Sequence, residues 1–238
     1  MKIAKIFTSL LVLGLLFAQD RPVSTYSIVA IDKESGEMGG AVQSHWFSVG
    51  SLVLWAEPGV GIVATQSFVR PEYGPEILKL FGTSSASPKF ILESLLKKDS
   101  EQNVRQVGAV NVVGESVSFT GKDCVSYASS IEGDGYAIQA NIMANPGVPE
   151  AMEKAYLSTE GSLADRLYAA LSAAEALGGD ILGKQSAAML VVPLKKVDNL
   201  LISKIYDIRV DDSPNPLCLL YTSPSPRDLS TSRMPSSA

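Results

Sequence analysis

Histidine is almost missing from this chain of 238 residues. Only His45 is present, so a Ser-His-Asp triad or a zinc centre would have to be built around that one ring, and no H-x-x-E or H-E-x-x-H spacing signals a metal. Cysteine is scarce too: Cys218 lies in a Ser/Pro-rich terminal stretch, which leaves Cys124 without an evident partner and predicts no structural disulfide. Positive charge is in the minority, with Lys plus Arg at 20 against Asp plus Glu at 25 and a formal net charge of −5. No basic cluster offers a footprint for DNA or RNA, so nucleic acid is excluded as an expected partner. Gly at 19, Pro at 13 and aromatics at 7% are ordinary, and no internal period recurs, which excludes collagen-like, solenoid and disordered architectures. What is there, 46% hydrophobic residues, suffices for one domain with a sizeable core.

Apolar runs long enough to span a bilayer are also lacking. The run from Ile6 to Ala18 follows Lys2 and Lys5 and gives way to Gln19-Asp20-Arg21-Pro22. As a helix it would cover about 20 Å of a roughly 30 Å hydrocarbon core. The pattern predicts a secretory signal peptide over residues 1–18, a short leader over 19–24, and a secreted or periplasmic protein with no stable membrane anchor. Two lysines and no acids leave with residues 1–18, so the remainder carries −7. After Pro216, the stretch LCLLYTSPSPRDLSTSRMPSSA has no usable periodicity, and residues 217–238 are predicted to build no packed element. The string resembles translated adaptor read-through on a truncated natural chain; a biological Ser/Pro tail is the alternative.

Between these ends, STYSIVAID, MGGAVQSH, LVLWAEP and GVGIVATQS read as four successive strands bounded by turn residues. EYGPEILKLFG and SPKFILESLLKKD read as helices, the second with Ser87 as N-cap and Pro88 behind it. Strand patterns return in RQVGAVNVVG, SVSFTG, CVSYAS and GYAIQANIM. Val148, Met152, Ala155 and Tyr156 then switch to helical spacing. A further helix starts at the capping-box pair Ser162 and Asp165, presents Leu163, Leu167, Ala170, Leu171, Ala174 and Leu177 on one face, and stops at Gly178-Gly179. The unbroken AAMLVV and the alternating KIYDIRV close the chain as strands. Strands, two helices, strands, two helices, strands fits an α+β fold in which helices flank two packed, mainly antiparallel sheets, a four-layer αββα sandwich over residues 25–216.

Two short motifs carry no chemistry. GGDILGK, Gly178 to Lys184, has phosphate-loop spacing but follows a helix and enters a strand, and Gln185 stands where the metal-binding hydroxyl belongs. Ser94 to Lys97 spells S-x-x-K without S-D-N or K-T-G. A lone His45 beside Trp46 and Phe47 is most simply a partly buried hydrogen-bonding residue, with a metal-dependent hydrolase centred on it as a third functional possibility.

The segments STYSIVAID, GVGIVATQSFVRPEYGPEIL, VRQVGAVN, FTGKDC, QANIM, GGDILGKQSAAMLVV and DIRVDDSPNP together resemble one uncharacterised bacterial family, a domain of unknown function placed in the N-terminal-nucleophile (Ntn) hydrolase superfamily. The resemblance runs from about Thr25 to Pro216 and implies the Ntn sandwich. In that chemistry a residue opening the first strand attacks an amide with its own α-amine as base, requiring neither histidine nor cofactor. Family members tend to begin T-[FY]-S-I-V-A, which gives Thr25 the nucleophile's place; as a β-branched residue it is equally a strand opener. Cleavage after Ala18 leaves Gln19 to Ser24 ahead of Thr25, so a second cut, such as autoproteolysis between Ser24 and Thr25, is needed. Proteasome-type members carry a lysine about thirty residues on, whereas WAEPGVG here has Glu57.

The remaining candidates are polar residues of the matching segments. Asn141 would donate to an oxyanion, Lys184 and Arg105 would hold an anionic group, and Asp180 would orient one of those cations. Ser44, Gln66, Gln185, Ser186 and Arg209 would contact substrate. Each has a structural alternative: Asp180 as a turn cap, Arg209 as a strand-face ion pair between Asp207 and Asp211, Gln185 and Ser186 as satisfiers of backbone at a strand start. The expectation is an exported hydrolase of a small amide or peptide-like compound with Thr25 as nucleophile. The alternative is a non-catalytic periplasmic binding or scaffold module. Expected partners are the small-molecule or peptide-like substrate and, at most, further copies of the chain.

Overall fold

A computed structural model describes residues 22–197, 199 and 203–223; the expected signal peptide, residues 19–21 of the leader and residues 224–238 of the tail lie outside the described residues. The first hairpin sets the frame. Strand β1 (Thr25–Asp32) turns through Lys33 to Gly36 into β2 (Glu37–Ser44). Asp32 Oδ1 accepts the amides of Glu34 at 3.0 Å and Ser35 at 3.3 Å, and Gly36 supplies the φ of +70° that closes the turn. The ladder then runs without a break from Asp32↔Glu37 to Thr25↔Ser44.

The chain continues through helix α1 (Gly50–Val53), β3 (Leu54–Glu57), β4 (Gly61–Ser67), α2 (Tyr73–Thr83) and α3 (Pro88–Leu96). Next come β5 (Arg105–Asn111), β6 (Ser116–Thr120), β7 (Ser129–Gly133), β8 (Tyr136–Asn141), α4 (Val148–Ser158) and α5 (Leu163–Ala176). It ends with β9 (Ser186–Pro193), β10 (Tyr206–Val210) and α6 (Pro216–Thr222). The strands form a six-stranded sheet in the order β10-β9-β2-β1-β8-β7 and a four-stranded sheet in the order β3-β4-β5-β6. All the strand pairings described are antiparallel, making a mixed α+β fold.

Period-two alternation decides what each strand face covers. Tyr26, Ile28 and Ala30 of β1 pack with Met152 and Tyr156 of α4 and with Leu163, Leu167 and Leu171 of α5. Their neighbours Val29 and Ile31 join Met38, Val42, Ile62, Ala64 and Val110 between the two sheets. Val63, Val107 and Ala109 on the far face of the smaller sheet meet Tyr73, Ile77 and Leu78 of α2 and Leu92 of α3. Each such aliphatic side chain, fully buried, contributes about 1.5–3 kcal/mol. Both expected caps are present: Ser87 Oγ accepts from Phe90 N at 3.3 Å, and Ser162 and Asp165 form a reciprocal capping box.

Three segments depart from expectation. LVLWAEP is not one strand, because its start belongs to the single turn α1, pinned where Ser186 Oγ accepts the Val49 amide at 3.0 Å. CVSYAS yields no strand before Ser129, since Val125 and Tyr127 give their carbonyls to Ile142 and Met143 beyond β8. The stretch after Pro216 does form a packed element through Thr222: Pro216 sits in the first turn of α6, and Leu217 and Leu220 are buried with Val210 and Met189. Among the described residues, no helix is long and apolar enough to cross a membrane.

Candidate functional site

The pairing register brings four of the expected residues into one row. Thr25 lies opposite Ser44 on one side and Asn141 on the other, and Ser44 lies opposite Ser186. The row Ser186, Ser44, Thr25, Asn141 therefore crosses four adjacent strands, and all four residues are fully buried. From the smaller sheet, the paired Gln66 and Gln106 face this row.

Thr25 is held on both sides. Its carbonyl accepts from Gln66 Nε2 at 3.2 Å and Asn141 Nδ2 at 3.4 Å. Gln106 Oε1 accepts from the same two amides at 2.8 and 3.0 Å, while Gln106 Nε2 donates to Thr120 Oγ1 and to the Ser129 and Ala140 carbonyls. Ser27, two residues along β1, bonds Gln66 Oε1 at 2.7 Å and Gln139 Oε1 at 3.0 Å. Gln139 fits only because position 108 is glycine, where a Cβ would sit 1.8 Å from Gln139 Nε2. Every member of this seam is neutral. Asn141 Oδ1 and Gln139 Nε2 have no hydrogen-bond partner among the described residues.

The leader is part of the same site. Val23 and Ser24 are each only 1% exposed. Val23 N donates to Ser67 O at 2.8 Å in an antiparallel bridge. The Thr25 hydroxyl has two acceptors in reach, Val23 O at 2.9 Å and Ser44 Oγ at 3.2 Å. Ser44 Oγ in turn donates to the carbonyl of Ser24, the residue bonded to the Thr25 nitrogen. Backbone strain gathers here: Ser67, the bridge partner of Val23, has φ of +69°, and Ile142, next to Asn141, has φ of +60°. A β-branched residue in that region is a true outlier, and such strain concentrates at functional sites.

Asp180 stands beside this leader segment. Its carboxylate accepts the His45 amide at 2.9 Å and the Leu182 amide at 2.7 Å. Burial pushes its pKa above the ordinary value, opposed by the nearby Ser24 hydroxyl and by the backbone amides of Leu182 and His45. The turn-capping role is thus realised, and no cation is oriented through these contacts.

The other candidates lie elsewhere. Lys184 Nζ bonds Glu175 Oε1 at 2.9 Å, and Glu175 also receives Tyr26 OH at 2.9 Å and Gln43 Nε2 at 2.7 Å. Tyr26 packs toward α5, so Lys184 belongs to the face of the sheet opposite the Thr25 side chain. Arg105 is consumed by Asp99 at 2.9 Å, Glu101 at 2.5 Å and the Phe68 carbonyl at 2.7 Å, leaving no free fork for an anionic substrate. Gln185 reaches Asp212 at 3.2 Å, and Arg209 pairs with Asp207 at 3.2 Å on the exposed strand face. Ser186, although in the row, donates to the Trp46 carbonyl and fixes the turn leading to α1. Asn141 lies in the row, and its NH2 donates to the Thr25 carbonyl and to Gln106, contacts that position the strand. Ser44 is the side-chain donor on the Ser24 carbonyl. Among the described residues, no group of three or more His, Cys, Asp or Glu side chains could hold a metal ion.

Sequence reasoning missed Ser27, Gln106 and Gln139. Their signal was polar side chains at same-face positions of otherwise apolar strands.

Comparison with known proteins places the chain. A family model described as a family of unknown function, DUF1028, matches residues 25–220. The chain belongs to DUF1028. Among solved structures, this DUF1028 chain is similar to protein SPO2555 from Silicibacter pomeroyi, also a DUF1028 protein, at 29% identity with a TM-score of 0.74 and 83% of each chain covered. No curated protein matches it.

Proposed function

We propose that this DUF1028 chain is an exported Ntn-type hydrolase of a small amide or peptide-like substrate, built on a four-layer αββα sandwich, with Thr25 as nucleophile once residues 1–24 are removed. One observation carries the reading: the Thr25 hydroxyl lies within hydrogen-bond reach of Ser44, and the Ser44 hydroxyl donates to the Ser24 carbonyl. A nucleophile and a donor for the oxygen of the bond to be cut thus stand side by side in the buried row.

Activation is self-cleavage. Thr25 Oγ1 adds to the Ser24 carbonyl carbon, Ser44 stabilises the oxygen, and the C–N bond breaks as the hydroxyl proton passes to the Thr25 nitrogen. That break frees the α-amine, and water then hydrolyses the ester, releasing the Ser24 carboxylate and regenerating the Thr25 hydroxyl. An unperturbed α-amine titrates at about 7.7–8.0, so near neutral pH it can take the Oγ1 proton during attack on a substrate amide and return it to the leaving nitrogen. Water hydrolyses the second ester. Gln66, Gln106 and Asn141 fix the Thr25 backbone throughout, without a titrating group of their own.

A second reading, a non-catalytic binding or scaffold module in the periplasm, is favoured by the depth at which Val23 and Ser24 cover Thr25. Intact mass and N-terminal sequencing of the exported protein separate the two. The hydrolase begins at Thr25, and Thr25→Ala keeps its upstream residues and loses amide turnover by about 10³-fold or more. A stable start at Gln19 in both proteins removes the enzyme.

A further inference from the structure

The hydrolase reading leaves the substrate open, and the leader closes part of that gap. We infer that the contacts now holding Val23 and Ser24 are the acyl-side subsites of the Thr25 centre, selecting peptides whose reacting carbonyl belongs to a small residue preceded by a branched aliphatic one. This rests on the proposed function for its chemistry, but its binding component stands on the leader's contacts alone.

The chemical identity of the intermediates makes the link. Self-cleavage passes through an ester between the Ser24 carbonyl and Thr25 Oγ1, and an external amide ending in the same acyl group forms the same ester. Whatever seats the leader in the first therefore seats the substrate in the second. Val23 belongs to the apolar cluster between the sheets, with Val49 and Val53 and the partly buried Trp46 and Val69. Its amide is fixed to the Ser67 carbonyl at 2.8 Å, so the acyl chain is bound as an extended peptide and aligned by backbone. Ser24 is 1% exposed between the Ser44 hydroxyl, which takes its carbonyl, and Asp180. That space is small, which admits a small side chain and rejects a ring, and the neighbouring Asp180 carboxylate rejects a second negative charge. Pro22 is half-buried, so the acyl side is less enclosed one residue before Val23.

The test uses the full chain with the leader evicted. Val23→Asp places a charge in the apolar cluster and empties both subsites; Val23→Ala is the milder version should the first not fold. Acetyl-Pro-Val-Ser amide at millimolar concentration is expected to raise the melting temperature of the evicted chain by several degrees and to leave the Thr25→Ala chain, whose leader stays seated, unchanged. Acetyl-Pro-Asp-Phe amide is expected to shift neither. No shift with the Val-Ser peptide, or equal shifts with both peptides, overturns the assignment. On the exported chain, the aminomethylcoumarin amide of acetyl-Pro-Val-Ser should be cleaved at least tenfold faster in kcat/KM than that of acetyl-Pro-Asp-Phe. Peptide binding without coumarin release sinks the hydrolase reading and keeps the subsites. Release from both amides at equal rates does the reverse.

Discussion

The two faces of β1 at its first two residues solve opposite problems. Thr25 points between the sheets into neutral amides and hydroxyls that are fully buried, whereas Tyr26 points toward α5 into the charged pair of Glu175 and Lys184, which keeps contact with water. The neutral seam fixes geometry: a low-dielectric interior strengthens each of its hydrogen bonds and makes each missing one costly. The charged cluster is tolerant, because solvent screens it and can replace a lost partner. Chemistry that needs a backbone carbonyl held to tenths of an ångström belongs on the first face. The face with more formal charge, where a cation was expected to act, carries the less demanding task.

The contrast can be broken most directly at Gln106. Gln106→Leu leaves two buried amide donors and two backbone carbonyls short of a partner, and is expected to lower unfolding free energy by about 4 kcal/mol in denaturant melts, equally at pH 5 and pH 8 in a chain that keeps Ser24, where nothing in the seam titrates. Gly108→Ala drives a methyl into Gln139 and should cost about 2 kcal/mol, with loss of the Ser27 to Gln139 contact visible in a crystal structure of the variant. Glu175→Gln, on the other face, should cost only about 1 kcal/mol at pH 7.

That last loss should depend on pH. Burial alone would raise the Glu175 carboxyl, but hydrogen bonds from Lys184, Gln43 and Tyr26 outweigh it and hold the group below its ordinary 4.5. Its stabilisation is therefore complete above pH 4.5 and fades as pH falls through the lower folded value. Melting curves of wild type and Glu175→Gln should converge in acid. A gap that widens as pH falls below 4.5 would contradict the assignment.

Much of the fold was legible because it is local. Alternation marked β1, β2, β4, β5 and β8, and side-chain caps marked α3 and α5 within a residue. The exceptions were decided from a distance: α1 is set by Ser186 across the sheet, and the loop after Cys124 by backbone beyond β8. The site follows the same division. Thr25, Ser44, Gln66 and Asn141 were selected as polar residues in recognisable segments, and strand pairing did bring them together. Arg105 and Lys184 have partners that the sequence did not show, because a cation's surroundings depend on which carboxylates reach it. Asp99 and Glu101 come from a turn next to Arg105, and Glu175 from the last turn of α5. Gln106 was overlooked since one glutamine in an apolar strand gives no hint of the five contacts that converge on it.

The unbroken ladder of the first hairpin has a consequence for how this centre is kept in aim. Thr25 and Ser44 stand opposite one another only because Asp32 and Glu37 do so at the other end, about 23 Å away along the strand. Slipping that distant turn by one residue would rotate every side chain of β1 to the wrong side and put Tyr26 where the hydroxyl belongs. The bend at Lys33 to Gly36 therefore works as a remote gauge, and a single insertion in it should silence the centre without touching any group that lines it.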